Sequence, residues 1–184
     1  MANTNSPFGF VQVSDRADAR LEEFTLASTY ATKLGRGDPV ELGGSGTDIV
    51  RSAAASTALI GIFWGVSYFD ADGDPKWSTY WPGNVGYTGA KVQVLPITPD
   101  GTFRVQGDSV AAGDIGALAD FTVADASATL KRSQTVLAVN GATATSGKNF
   151  LIKKLADIPG NAYGAYAVVD GVFVEGAYAT ATGV

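Results

Sequence analysis

The chain has 184 residues, 46% hydrophobic and only 17% charged, with a net charge of −5 and a sequence pI near 4.6. Such a length and apolar share suffice for one domain with a buried core that needs neither disulfides nor metals. With no His and no Cys, the imidazole base, the thiolate nucleophile and soft-metal ligation are excluded. The acidic balance also opposes binding to a phosphate backbone, since the 13 basic residues are scattered and only Lys131-Arg132 and Lys153-Lys154 are adjacent.

Residues 1–15 carry no Lys or Arg and no apolar run of signal length, so the protein is expected to remain in the compartment where it is made. Ser6-Pro7 and Phe8-Gly9 interrupt regular structure, and Asp15, Arg16, Asp18 and Arg20 form a polar hinge. Residues 1–20 therefore read as an extended arm in which Pro7, Phe8 and Phe10 are contact residues for another polypeptide. Residues 21–184 read as a single β-rich domain.

From Leu21 onward, short runs rich in Val, Ile, Thr and aromatics recur between Gly, Pro, Asn and Asp clusters. This punctuation predicts a mainly β, antiparallel sandwich or jelly-roll-like domain. Strands are expected over Glu22–Ser28, Pro39–Leu42, Leu59–Phe69, Ala90–Ile97, Thr102–Gln106, Gln134–Val139, Asn149–Leu155 and Tyr163–Val174. The weakly polar stretch Ala53–Val66 is shorter than the roughly 20 residues of a membrane helix and fits a buried strand. Period-two alternation in Lys91–Leu95 and Thr102–Gln106, joined by Pro99-Asp100-Gly101, predicts a hairpin. A second hairpin is expected at Asp170-Gly171. Ala111–Ala119 reads as a short helix or an irregular crossover because Gly113 and Gly116 oppose a long helix, and Thr180–Val184 as a fraying end.

Three patterns invite a chemical reading. Asp70-Ala71-Asp72-Gly73-Asp74 alternates hard oxygen ligands, but Pro75 stands where a calcium loop needs Gly and Trp81 where it needs the closing Glu. A polar turn is expected, with no metal. Gly141–Lys148 has five residues between its glycines instead of the four of a phosphate loop, and Asn149 replaces the magnesium-binding hydroxyl, so a loop between strands is expected. Glu22, Glu23, Glu41 and Glu175 could supply a hydrolytic carboxylate pair, but Glu22 and Glu23 are strand neighbours on opposite faces. No catalytic residue and no cofactor is expected.

The region Phe63–Tyr87 holds Phe63, Trp64, Tyr68, Phe69, Trp77, Tyr80, Trp81 and Tyr87, including all three tryptophans. Such rings either fill a β core or anchor a protein interface or a sugar. Pro75, Pro82 and Gly83 place Trp77, Tyr80 and Trp81 in a loop, where they are expected as interface residues.

The order Asn5-Ser6-Pro7-Phe8-Gly9-Phe10, Gly37-Asp38-Pro39-Val40, Leu59-Ile60-Gly61-Ile62-Phe63, Trp77-Ser78-Thr79-Tyr80-Trp81-Pro82-Gly83, Ala90–Val94, Thr102–Gln106 and Ala112-Gly113-Asp114-Ile115-Gly116 resembles the cement, or head-decoration, proteins of tailed bacteriophages. The resemblance spans the arm to about Leu155. It implies a β-rich, non-enzymatic virion protein, made in the bacterial cytoplasm, that binds the outer capsid surface. Its implied partners are the major capsid protein and, as dimer or trimer, copies of itself, with no nucleic acid and no membrane. The alternative is a carbohydrate-binding β-sandwich module, which a solvent-facing row of Trp77, Tyr80 and Trp81 would favour. A glycosidase would require two carboxyl groups converging in a cleft.

Overall fold

A computed structural model describes residues 3–14, 20–44, 46–54, 56, 58–83, 86–98, 100–139, 148–174 and 176. In chain order the strands are β1 (Val11–Ser14), β2 (Glu22–Thr25), β3 (Leu34–Gly35), β4 (Pro39–Leu42), β5 (Ile49–Arg51), β6 (Leu59–Phe69), β7 (Pro75–Ser78) and β8 (Tyr80–Trp81). They continue as β9 (Thr88–Pro96), β10 (Thr102–Gln106), β11 (Ser109–Val110), β12 (Leu118–Thr122), β13 (Val136–Ala138), β14 (Phe150–Leu155), β15 (Gly164–Ala165) and β16 (Val168–Phe173). One 3-10 turn, Ala112–Asp114, precedes β12.

The fold is mainly β, built on two large antiparallel sheets. The first runs β1-β10-β16-β14-β12-β13 and the second β2-β9-β6-β4-β5, with β7 added alongside β6. Between them lies a core to which the first sheet gives Phe103, Val105, Phe121, Phe150, Ile152 and Phe173, and the second Leu59, Ile62 and Leu95. This is the face-to-face arrangement of a β-sandwich. A second core lies on the opposite face of the second sheet, where Phe63, Val66, Val92 and Val94 are covered by Leu34 and Trp81 from the small β3–β8 pair. Strand β6 serves both cores because its side chains face both sides of the sheet, and its register shifts once against β4 and twice against β9, between Phe63 and Gly65 and between Ser67 and Phe69. Each bulge turns the next side chains to the other face.

Several expectations change on this frame. The strands at Lys91–Leu95 and Thr102–Gln106 exist but form no hairpin: both edges of β9 are taken by β2 and β6, and β10 lies in the other sheet between β1 and β16. Asp170-Gly171 is no turn either. Both residues are buried inside the continuous strand β16, where Asp170 binds Arg104 at 2.8 Å and a Cβ at Gly171 would strike the Leu151 carbonyl and the Phe150 ring. The break in that segment falls earlier, between β15 and β16, where Tyr166 adopts φ +60°. Of Ala111–Ala119, only the turn Ala112–Asp114 is helical and its end is strand β12. Gly141–Gly147, Glu175 and Thr180–Val184 lie outside the described residues.

Residues 3–14 are extended but do not stand apart. Asn3 donates its side-chain amide to the carbonyls of Ala162 (2.7 Å) and Ala165 (3.0 Å), and Gln106 donates to the Thr4 carbonyl while accepting the Ser6 N–H. Strand β1 then pairs with β10. Phe10, 2% exposed, enters the sandwich core with ring centroids 4.8 Å from Phe173, 5.4 Å from Phe150 and 5.7 Å from Phe121. In the single chain the expected arm is thus a strap on its own domain, and the reason is apolar burial: a phenylalanine that fills a socket of three rings gains more than one left in water.

Candidate functional site

The strap, the Gly35–Pro39 segment and the Ser133–Thr135 segment meet at one junction. Gly9 has φ +70°, and a Cβ there would collide with the Gly37 carbonyl and Ser133, so glycine alone allows the strap to pass. Next to it the Phe10 N–H donates to the Gly37 carbonyl (2.9 Å), the Gly37 N–H to the Phe63 carbonyl (3.0 Å) and the Phe63 N–H to the Asp38 carbonyl (2.8 Å). The Asp38 carboxylate is fully buried; it accepts the Gly35 N–H (2.8 Å), the Thr135 hydroxyl (3.1 Å) and the Ser133 hydroxyl. Burial pushes its pKa above the ordinary 3.8, against the opposing pull of those three donors and of Arg51. The segments Asn5–Phe10, Gly37–Val40 and Leu59–Phe63 therefore converge here as scaffold. Sequence reasoning did not single out Asp38, Ser133 or Thr135 as a unit, because nothing in their spacing shows that residues 95 and 97 positions apart share one carboxylate.

The predicted contact residues divide. Phe10, Tyr80 and Trp81 have no surface to offer. Tyr80 is 8% exposed, and Trp81 is fully buried in the second core, where its indole N–H donates to the Tyr30 carbonyl at 3.0 Å and its ring meets Tyr68 and Tyr87 edge-on. The expected Pro-bounded loop is in fact the strands β7 and β8, and strand alternation turns neighbouring rings to different environments. Pro7 and Phe8 are half-buried on the strap. Trp77 remains outward, 57% exposed, with Phe69 beside it at 48%.

Trp77 and Phe69 lie on the half of the second sheet that the first sheet leaves bare. Ser67 pairs with Trp77 on one side and with Lys91 on the other, and Phe69 pairs with Pro75, so these residues occupy adjacent rows of one face. The rings rest over glycines: a Cβ at Gly65 would come within 2.9 Å of the Trp77 six-membered ring, and one at Gly89 within 3.4 Å of the Phe69 ring. Backbone thus supports both side chains from below. The rim is polar, with Lys91 held by Glu23 at 2.8 Å. Phe69 escaped the sequence analysis as a surface residue because its strand reads as continuously apolar.

The chemical patterns resolve into structure. The Asp70–Asp74 segment is the turn between β6 and β7: Asp70 Oδ1 accepts the Asp72 and Asp74 N–H groups at 3.0 and 2.9 Å, and Lys76 lies 3.3 Å from Asp70 Oδ2. These hydrogen bonds, with the Lys76 charge, hold the Asp70 carboxyl below its usual range. Glu23 is paired with Lys91, and Glu41 accepts the Ser52 hydroxyl at 3.0 Å. One hollow beside the strap is lined by Tyr166 and by Asn3, Gln106 and Asn161, whose side-chain amides donate to backbone carbonyls, that of Tyr166 included. Another is lined by Arg104, Lys153, Lys154 and Asp170, where Arg104 grips Asp170 through two hydrogen bonds of 2.8 and 3.0 Å. Among the described residues no three acidic side chains gather as a metal site, and no helix is long and apolar enough to cross a membrane. No protein-family profile, curated protein or solved structure matches the chain.

Proposed function

We propose that the protein is a structural virion component that binds the outer surface of a capsid and clamps neighbouring major capsid subunits, without catalysis. The observation that carries this reading is the bare sheet face with Trp77 and Phe69 side by side, a well-supported apolar pair on a charge-poor chain. Large exposed rings on a rigid strand are the residues that dominate protein interfaces. The resemblance of the Asn5–Gly116 segments to head-decoration proteins supplies the partner. The test is co-sedimentation with capsids of the phage that encodes the chain: the native protein should decorate them, and Trp77→Ala should lose at least about tenfold in affinity, as expected of an interface anchor contributing about 2 kcal/mol. Binding that is unaffected by Trp77→Ala and Phe69→Ala would remove this face from the interface.

A second reading is favoured by the same rings. An indole resting on a glycine is a flat platform onto which the apolar face of a sugar can stack. Retention on an insoluble polysaccharide, abolished by Trp77→Ala, with no capsid decoration, would make the protein a carbohydrate-binding module.

A further inference from the structure

We propose that Arg36, Lys131 and Arg132 form a second contact surface, which receives an acidic segment of a protein partner. The three cations come together through folding: Arg36 and Arg132 are paired in a parallel β-bridge, and the Ser133 N–H donates to the Arg36 carbonyl at 3.0 Å. Among the described residues none of the three has an ion pair, although seven ion pairs occur elsewhere among them. Two carboxylates close by in sequence are already committed, since Asp38 is buried on its three donors and Asp125 is paired with Arg51 at 3.0 Å. In a chain with net charge −5, three cations at bridged and adjacent backbone positions make a local basic patch that favours an anion.

The patch is also held ready. The Arg36 guanidinium lies 3.5 Å from the centroid of the Trp64 ring, which holds its plane against the indole. Arg132 donates through Nη2 to the Ser6 hydroxyl at 2.8 Å, and its buried Nε has no hydrogen-bond partner among the described residues. Lys131 stands at φ +52° on the tip of a turn closed by its own N–H to the Ser127 carbonyl (2.7 Å) and by the Ser127 N–H to the Arg132 carbonyl (3.0 Å). Leu130, exposed beside it, adds an apolar contact. Planar forks fixed in this way suit carboxylates, which they bind through paired hydrogen bonds. A nucleic-acid backbone would need a longer basic track than three residues in an acidic protein.

The proposal deepens the capsid reading and rests on it for the identity of the partner. Its probe is a fluorescein-labelled oligoglutamate peptide, titrated with the intact protein at low ionic strength and followed by anisotropy. Binding should weaken roughly tenfold for Arg36→Gln, the loss expected for one charge-assisted contact, and should fall with added salt. Lys131→Gln should weaken it less, and Arg36→Lys should restore only part of it. No binding to oligoglutamate, or binding indifferent to Arg36→Gln and Lys131→Gln in variants that melt like the native protein, overturns the proposal. Tighter binding of a short single-stranded oligonucleotide, or a self-association that Arg36→Gln disperses, overturns it as well by placing a different occupant there. Capsid decoration that persists in Arg36→Gln while oligoglutamate fails to bind would leave the capsid reading standing alone. Oligoglutamate binding without decoration would do the reverse.

Discussion

Replacing Phe10 with Ala tests whether the strap belongs to the folded monomer. The ring is 2% exposed and touches Phe121, Phe150 and Phe173 at centroid separations of 4.8 to 5.7 Å. Truncation removes the transfer energy of a buried phenyl group and leaves a cavity among three rings fixed on adjacent strands of the first sheet, a combination that costs about 3–5 kcal/mol. For a domain of this size each kcal/mol moves the melting temperature by about 2–4 °C, so a fall of roughly 6–20 °C is expected. Urea unfolding followed by tryptophan fluorescence should show a lower midpoint with an unchanged slope. A loss below about 1 kcal/mol would refute the reasoning, because a side chain truly locked in the core cannot be removed so cheaply. Phe10 would then be free to act on a partner, as the sequence suggests.

Trp81→Ala should cost about 3–5 kcal/mol by the same cavity argument, whereas Trp77→Ala should change stability by less than about 1 kcal/mol; equal losses in urea unfolding would contradict the separation of the two rings. Gly171→Ala must push against the Leu151 carbonyl and the Phe150 ring, and overpacking of this kind should lower stability by about 1–3 kcal/mol in the same assay. The Asp38 carboxyl titrates above 3.8 in the folded chain, so between 3.8 and its raised value the folded state binds the extra proton. Its contribution to stability is then greatest below 3.8 and declines as pH rises through the folded value. Urea midpoints of the native protein and Asp38→Asn, compared from acid to neutral pH, should differ by a pH-dependent amount of that sign, and a constant difference would disprove it. Asp70, held below 3.8, acts oppositely in both proteins, its contribution fading as pH falls beneath 3.8.

Strand existence was legible where alternation or a long apolar run carried it. Pro39–Leu42, Leu59–Phe69 and Thr102–Gln106 coincide with β4, β6 and β10. Pairing was not legible. Asp-Gly is chemically suited to a hairpin, but nothing within a few residues of Asp170 reveals that Arg104 waits across the sheet or that the Phe150 ring requires a missing Cβ at Gly171. The aromatic enrichment leaves core and surface open in the sequence, and Pro75 and Pro82 suggest a surface loop for Trp77, Tyr80 and Trp81, of which Trp77 alone faces water while Tyr80 and Trp81 are buried. Lys131-Arg132 stood out as an adjacent basic pair, but its significance depends on Arg36, brought alongside only by the parallel bridge.

The docking of the strap also orders events in time. Asn3 and Phe10 leave the ribosome well before their partners, since Asn3 bonds to Ala162, 159 positions later, and Phe10 closes against Phe150 and Phe173. The Ala162 bond and the phenyl socket cannot form until the segments around Ala162 and Phe173 have emerged, although Gly37 and β10 become available to the strap earlier. Contacts of such long sequence separation slow folding, because the loop entropy is spent before they form. The strap therefore waits with its phenyl ring undocked until β14 and β16 complete the socket. Once complete, that socket can accept the strap of its own chain or of another copy, so protein concentration during folding becomes a determinant of whether monomers or exchanged assemblies result.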